Sequence, residues 1–222
     1  MRPLTLFLLL TLLSISLCNL PMSAASTLNL REGIDSYPLG LHLDIFEDKE
    51  GELTIEQITS AELATQFKTS SQTVPRFGYT DSAYWVRMRL RNVDHSSRDW
   101  RLLLELTNFH YVDAYLPKKD GYRLIQTGNR RPFSNRDVAS RHIVFGIGLD
   151  QSAAGKTVYM RFQNGSSMIL QLSLLSFSAY AEQESTDQLL LGLYYGALLI
   201  MLGYNSFLGI FLREKSYFYY VA

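Results

Sequence analysis

The sequence predicts a mainly β protein, an antiparallel β-sandwich followed by a transmembrane α-helix. Two observations carry that expectation. Between residues 39 and 174, short segments that alternate apolar and polar residues recur with turns between them and almost no helical pattern. From Leu189 to Leu212 no charged residue occurs. A helix of that length spans roughly 36 Å, enough to cross a hydrocarbon core of about 30 Å.

Taken in order, Leu39 to Ile45 places Leu41, Leu43 and Ile45 on one face and His42 and Asp44 on the other, and reads as a strand. Glu47 to Glu52 is a solvated turn, and Leu53 to Ile55 a short extended piece. Thr59-Ser60-Ala61-Glu62 has capping-box spacing, so Thr59 is expected to cap a short helix running through Phe67. Lys68 to Pro75 is polar, ends in proline and reads as a loop. The centre of the domain is the segment from Phe77 to Asn92. There Tyr84, Val86, Met88 and Leu90 point one way, and Trp85, Arg87, Arg89 and Arg91 the other.

After a turn at 94–97, Trp100, Leu102, Leu104 and Leu106 form the next apolar face. Val112, Ala114 and Leu116 face in, with Tyr111, Asp113 and Tyr115 out. Tyr122 to Ile125 is a short strand. Ile143, Phe145, Ile147 and Leu149 face in, as do Leu170, Leu172 and Leu174. Val158, Met160 and Phe162 face in, with Tyr159 and Arg161 out. Residues 178–188 form a polar connector, compatible with helix, between the sandwich and the span.

The flanks orient the span. Glu182, Glu184 and Asp187 precede it, and Arg213, Glu214 and Lys215 follow it. Basic residues favour the cytoplasmic side, so the N-terminal part is external and the tail internal. At the N-terminus, Arg2, the apolar run Leu4 to Leu17 and the small residues around Ala24 and Ala25 read as a secretory signal peptide over 1–25. Cys18 is the chain's one cysteine. Bulky Leu17 before it argues against a lipoprotein signal, and the external part is left without a disulfide, a thiolate metal site or a cysteine nucleophile.

The chain carries 21 basic and 21 acidic residues. Arg2, Arg213, Lys215 and Glu214 lie outside the external part, which is therefore close to neutral and gives no sign of nucleic-acid binding. The sandwich is assigned to 26–177, the span to 189–212, and 213–222 to a short cytoplasmic turn and the start of a second apolar segment. The chain thus reads as the front part of a longer membrane protein.

FGYTDSAYWVRMRLRN at 77–92, YVDAYL at 111–116, Gly128, Pro132, Arg136 and TVYMRF at 157–162 resemble the type 2 extracellular domain of bacterial 7TM receptors with diverse intracellular signalling modules. Residues 189–222 resemble the start of that family's seven-helix region. The resemblance implies a jelly-roll-like sandwich similar to carbohydrate-binding modules, located in the periplasm and anchored in the inner membrane. It also implies a cytoplasmic effector, such as a diguanylate cyclase or histidine kinase, which this chain does not contain.

The outward residues of three strands form the candidate ligand-binding face: Trp85, Arg87 and Arg89; Tyr111, Asp113 and Tyr115; Tyr159 and Arg161. Aromatic rings stack on sugar faces, while Arg and Asp fix hydroxyls and carboxylates. A solvated sheet face with cross-strand ion pairs, or Trp85 tucked under a loop, is the alternative. A second candidate is the loop of Arg130, Arg131, Arg136 and Arg141, opposed only by Asp137, which could take an acidic ligand or be simply solvated. His42, His95, His110 and His142 lack metal-ligand spacing, and no cofactor or metal is expected.

The expected partners are membrane lipid and a small-molecule or glycan ligand, or a periplasmic protein. Gly192 and Gly196 suit packing against further helices of the same protein, with a homodimer as the other reading. Asn205 should face other helices rather than lipid. The expected role is sensory, without catalysis. A glycan-binding or adhesion module without regulated output is the first rival. A glycan-active enzyme would need a pair of carboxylates across a cleft, and Asp113 stands alone on its strand face.

Overall fold

In chain order the strands are β1 (Leu28–Leu30), β2 (Ser36–Pro38), β3 (Asp44–Asp48), β4 (Lys68–Thr69), β5 (Arg76–Tyr79), β6 (Ala83–Asn92), β7 (Trp100–Leu104), β8 (Tyr111–Lys118), β9 (Gly121–Thr127), β10 (Ile143–Ile147), β11 (Lys156–Gln163), β12 (Ser167–Ile169) and β13 (Leu172–Ser176). Two short helices, α1 (Ile55–Ile58) and α2 (Ala61–Ala64), precede β4, and a long one, α3 (Phe177–Leu212), follows β13. The structure is a computed structural model and describes residues 27–94, 99–118, 121–149, 155–213 and 215–220. The signal-peptide segment 1–25, with Cys18, and His95 lie outside the described residues.

The long alternating strand β6 organises the larger sheet, whose order is β4-β3-β6-β11-β8-β9. All its pairings are antiparallel except that of β1, which runs parallel to the end of β6 from Leu90 to Asn92. The smaller sheet has the order β10-β7-β13-β2, and β12 pairs with β5 as a separate ribbon. The two main sheets close on one core. Val86, Met88, Leu90, Val112, Val158 and Met160 meet Leu102, Leu104, Phe145 and Leu172 there, and all are buried. The inward faces expected from period-two alternation are the ones observed, because a one-residue slip would bury Arg and Asp in their place.

Several local expectations are corrected. Leu39 to Ile45 is not one strand: a 3-10 turn occupies Gly40–His42, and β3 begins at Asp44. A Cβ on Gly40 would lie 1.8 Å from the Thr73 carbonyl oxygen, so a crossing chain occupies the space a strand would use. The turn buries Leu39 and Leu43 and leaves Leu41 outside. Thr59 does not cap a helix through Phe67. Thr54 caps α1 in a reciprocal box with Gln57, and Ser60 caps α2, its hydroxyl accepting from the Leu63 N–H. The Thr59 hydroxyl instead donates back to the Ile55 carbonyl at 2.9 Å. Residues 68 and 69 of the expected loop form an edge strand on β3.

Two positions need glycine's freedom. Besides Gly40, Gly128 has φ 129°, and a Cβ there would come within 2.3 Å of the His110 carbonyl oxygen. Gly128 therefore ends β9 where the chain turns back against the start of β8.

Candidate functional site

β6, β11 and β8 are neighbours, so their outward residues fall into rows. One row runs Asp44–Arg87–Tyr159–Tyr115 across β3, β6, β11 and β8, and the next runs Phe46–Trp85–Arg161–Asp113. These two rows hold six of the eight candidate residues, Trp85, Arg87, Asp113, Tyr115, Tyr159 and Arg161, and the alternation puts the other two on the same face. Tyr111 opens β8 beside Gln163, and Arg89 lies further along β6 opposite Thr157.

That face is not an open platform. Trp85 is 0% exposed, and Arg87, Asp113 and Tyr159 are buried too. The segment 49–67 lies over them. Its Leu53, Ile55, Ile58, Leu63 and Phe67 pack with Trp85, Tyr159, Tyr115, Tyr122 and Phe46 into a second apolar cluster. Trp85 stacks on Tyr115 at 5.5 Å, and its indole N–H finds no acceptor among the described residues. Of the two readings of this face, the structure shows Trp85 under a covering segment rather than on an open platform, and the reason is visible. The apolar residues of 49–67 needed a surface to bury, and the aromatic face supplied it. A signal was present: Thr54-Ile55-Glu56-Gln57 carries capping-box spacing, with Ile55, Ile58, Leu63 and Phe67 following it.

Two arginines, the buried Arg87 and the half-buried Arg161, pin the two ends of this cover. Arg87 donates to Asp44 at 2.7 and 3.1 Å and to the Ala64 carbonyl at 3.1 Å, with its guanidinium 4.4 Å from the centre of the Phe67 ring. Arg161 donates to the Gly51 carbonyl at 2.6 Å. Asp48 accepts from the Gly51 and Leu53 N–H groups at 2.9 and 3.0 Å, which tightens the turn between them. Burial pushes the Tyr115 phenol pKa up, and the neighbouring Asp113 carboxylate adds to that shift.

The basic loop is likewise not an open anion site. Arg131 pairs with Asp113 and its guanidinium lies 5.1 Å from the centre of the Tyr111 ring. Arg136 donates to the carbonyls of Ser140, Arg141 and His142 and sits over the Phe133 ring. Asp137 pairs with Arg123 at 3.1 Å and accepts from the Gly146 N–H at 2.8 Å. Arg141 reaches Asp187 on α3. Only Arg130 of the four keeps an exposed side chain with no partner among the described residues.

The outer face of the smaller sheet was not singled out in the sequence. There α3 begins without a break from β13. Ser176 caps it by accepting from the Ala179 N–H, and Tyr180 packs with Leu103, Val144 and Leu175. Arg101 lies 4.9 Å from the centre of the Phe177 ring, the Ser140 hydroxyl donates to Glu184 at 3.1 Å, and Arg141 pairs with Asp187. The polar connector and the apolar span are thus one helix of 36 residues, long and apolar enough to cross a membrane.

Residues 40–176 match the family described as 7TMR-DISM extracellular 2, and residues 187–222 match the one described as 7TM diverse intracellular signalling. No curated protein matches the chain. Among solved structures, it has a likeness to CsCBM6-3 from Clostridium stercorarium in complex with cellobiose. The identity is 14%, the coverage 46% of this chain and 80% of that one, and the TM-score 0.20.

Proposed function

The chain belongs to the 7TMR-DISM family, and on that premise we propose that its β-sandwich is a periplasmic sensor whose state is passed directly to an inner-membrane helix and from there to a cytoplasmic effector. The sandwich takes a small-molecule or glycan ligand, or a periplasmic protein, and performs no catalysis itself. The observation that carries the reading is the continuity of α3. Its first turns are fixed to the smaller sheet by Tyr180, Glu184 and Asp187, and the same helix runs on into the apolar span. A helix held by one sheet at its start follows that sheet as a rigid lever, since the packed elements on either side move as units rather than bending smoothly.

Two experiments test this. A phosphatase reporter that works only outside the cytoplasm should be active when fused after Gln188 and silent after Lys215; the reverse pattern overturns the orientation. With Cys18 replaced, spin labels at Asn135 and Gln183 should give one narrow distance distribution in the membrane-embedded protein. A broad distribution would mean that α3 hangs free of the sandwich, and the direct relay would fail.

A further inference from the structure

The covered aromatic face leaves open the question of where a ligand enters. A cleft of about 570 Å³ lies beside it, at the edge of the larger sheet where β4 stops. The short strand β4 pairs only with Asp44 and Ile45 of β3. Beyond that point Phe46 and Glu47 border the cleft, and Phe77 and Tyr84 line it as well. The latter two rings are stacked at 4.2 Å. Three cations, Lys49, Lys68 and Arg76, line it from three different segments, and all three are exposed. Among the described residues none of them has an ion-pair partner. The cleft's one carboxylate, Glu47, is already engaged, accepting from the Ser82 hydroxyl at 2.9 Å. The remaining polar lining consists of amides and hydroxyls, among them Gln66, Ser71 and Gln72.

This combination selects a ligand class. A volume of a few hundred cubic ångströms with aromatic rings and a few polar groups is the size and chemistry of a small-molecule site. Amide and hydroxyl groups suit hydroxyl-bearing ligands, and rings suit the apolar faces of sugars. Three unpaired cations around a single engaged carboxylate leave a positive rim, which raises the local concentration of anions and fixes carboxylates by charge-assisted hydrogen bonds.

We propose that the cleft between β3, β4 and β5 is the ligand site and that it takes an acidic, carboxylate-bearing sugar, held by Lys49, Lys68 and Arg76 against the half-buried Phe46 and Phe77 rings, with the buried Tyr84 stacked on Phe77. The proposal rests on the reading of the domain as a ligand sensor. It also places the ligand where it can be felt: β3 carries Asp44, the buried partner of Arg87, and Phe46, which packs on Phe67 of the cover at 5.7 Å.

The test uses the full chain in nanodiscs, with galacturonate and glucuronate oligomers as probes beside their neutral parent sugars, and binding read by calorimetry. At least one acid should bind more than tenfold tighter than its neutral parent, and rising salt should narrow that preference. Lys68→Glu and Arg76→Glu should each weaken acid binding by tenfold or more and leave the circular-dichroism melt unchanged, because both side chains are exposed. Equal binding of acid and neutral sugar, indifference to both charge reversals, or no binding by any acid overturns the proposal. The Asn135–Gln183 spin-label pair separates this outcome from failure of the sensor reading. Acid binding at the cleft with a broad Asn135–Gln183 distribution would leave the site standing and sink the relay, whereas a narrow distribution with no acid binding would do the opposite.

Discussion

The two outer faces of the sandwich are both covered, but by different means. Over the larger sheet lies a local segment, 49–67, sealed by aromatic packing around Trp85 and pinned by the buried Arg87 and the half-buried Arg161. Over the smaller sheet lies the start of α3, held by a small aliphatic cluster around Leu103 and by polar contacts at the surface. The first cover begins and ends within the domain and adds to its stability. The second leaves the domain for the membrane, and its contacts are lighter.

The strongest way to break this contrast is Trp85→Ala. The ring is fully buried beneath the cover, so its loss should cost about 3–5 kcal/mol in a denaturant melt followed by circular dichroism. Trp85→Phe should cost far less, since it keeps most of the ring and removes an indole N–H that has no acceptor. A folded, barely destabilised Trp85→Ala would restore the open platform.

Next in size is Arg87→Ala. It strands Asp44, whose side chain is 1% exposed. A buried charge without its partner costs about 3 kcal/mol, moderated here by the Thr69 hydroxyl that still donates to Asp44 at 2.8 Å. The same change frees the Ala64 carbonyl, so protease cleavage within 61–67 should rise along with the loss of stability. Unchanged cleavage would mean that the apolar cluster alone holds the cover.

On the other face, Leu103→Ala should cost about 2–3 kcal/mol. Its expected signature is different: the spin-label distance from Asn135 to Gln183 should broaden, because Leu103 packs in the cluster that holds Tyr180. If stability falls and the distance stays sharp, the polar contacts at Ser140 and Arg141 carry the registration by themselves.

The contrast also explains what could be read from the chain. The inward faces of β6, β7, β8, β10, β11 and β13 were legible because burial on one side imposes a period of two on the residues themselves. The apolar span was legible because lipid demands an uninterrupted run. The outer faces were not, because the same alternation describes a strand whose second face meets water and one whose second face meets another part of the chain. Trp85, Arg87 and Asp113 look alike in both cases until the residues of 49–67 are placed. The basic loop misled for the same reason: the carboxylates that engage Arg131 and Arg141 come from β8 and α3, 18 and 46 residues away in sequence. The edge cleft draws its three cations from three segments, and no local pattern joins them.

The smallest expected effect on stability is also the most informative about the relay. Arg141 and Asp187 form an ion pair whose side chains are 45% and 26% exposed. Solvent screens such a pair, so Asp187→Asn should change the melt by less than about 1 kcal/mol. Glu184, one helical turn before it, takes the Ser140 hydroxyl, and the Ser140 carbonyl in turn accepts from Arg136. If these contacts only decorate the surface, Asp187→Asn and Glu184→Gln should change nothing beyond the melt. If they set the register of α3 against the sheet, the double variant should broaden the Asn135–Gln183 distance at almost constant stability, and high salt should do the same to the unaltered protein. Broadening with stability intact would separate registration from folding on this face. On the opposite face Arg87 both holds the cover at the Ala64 carbonyl and neutralises the buried Asp44, so a change there alters anchoring and stability together.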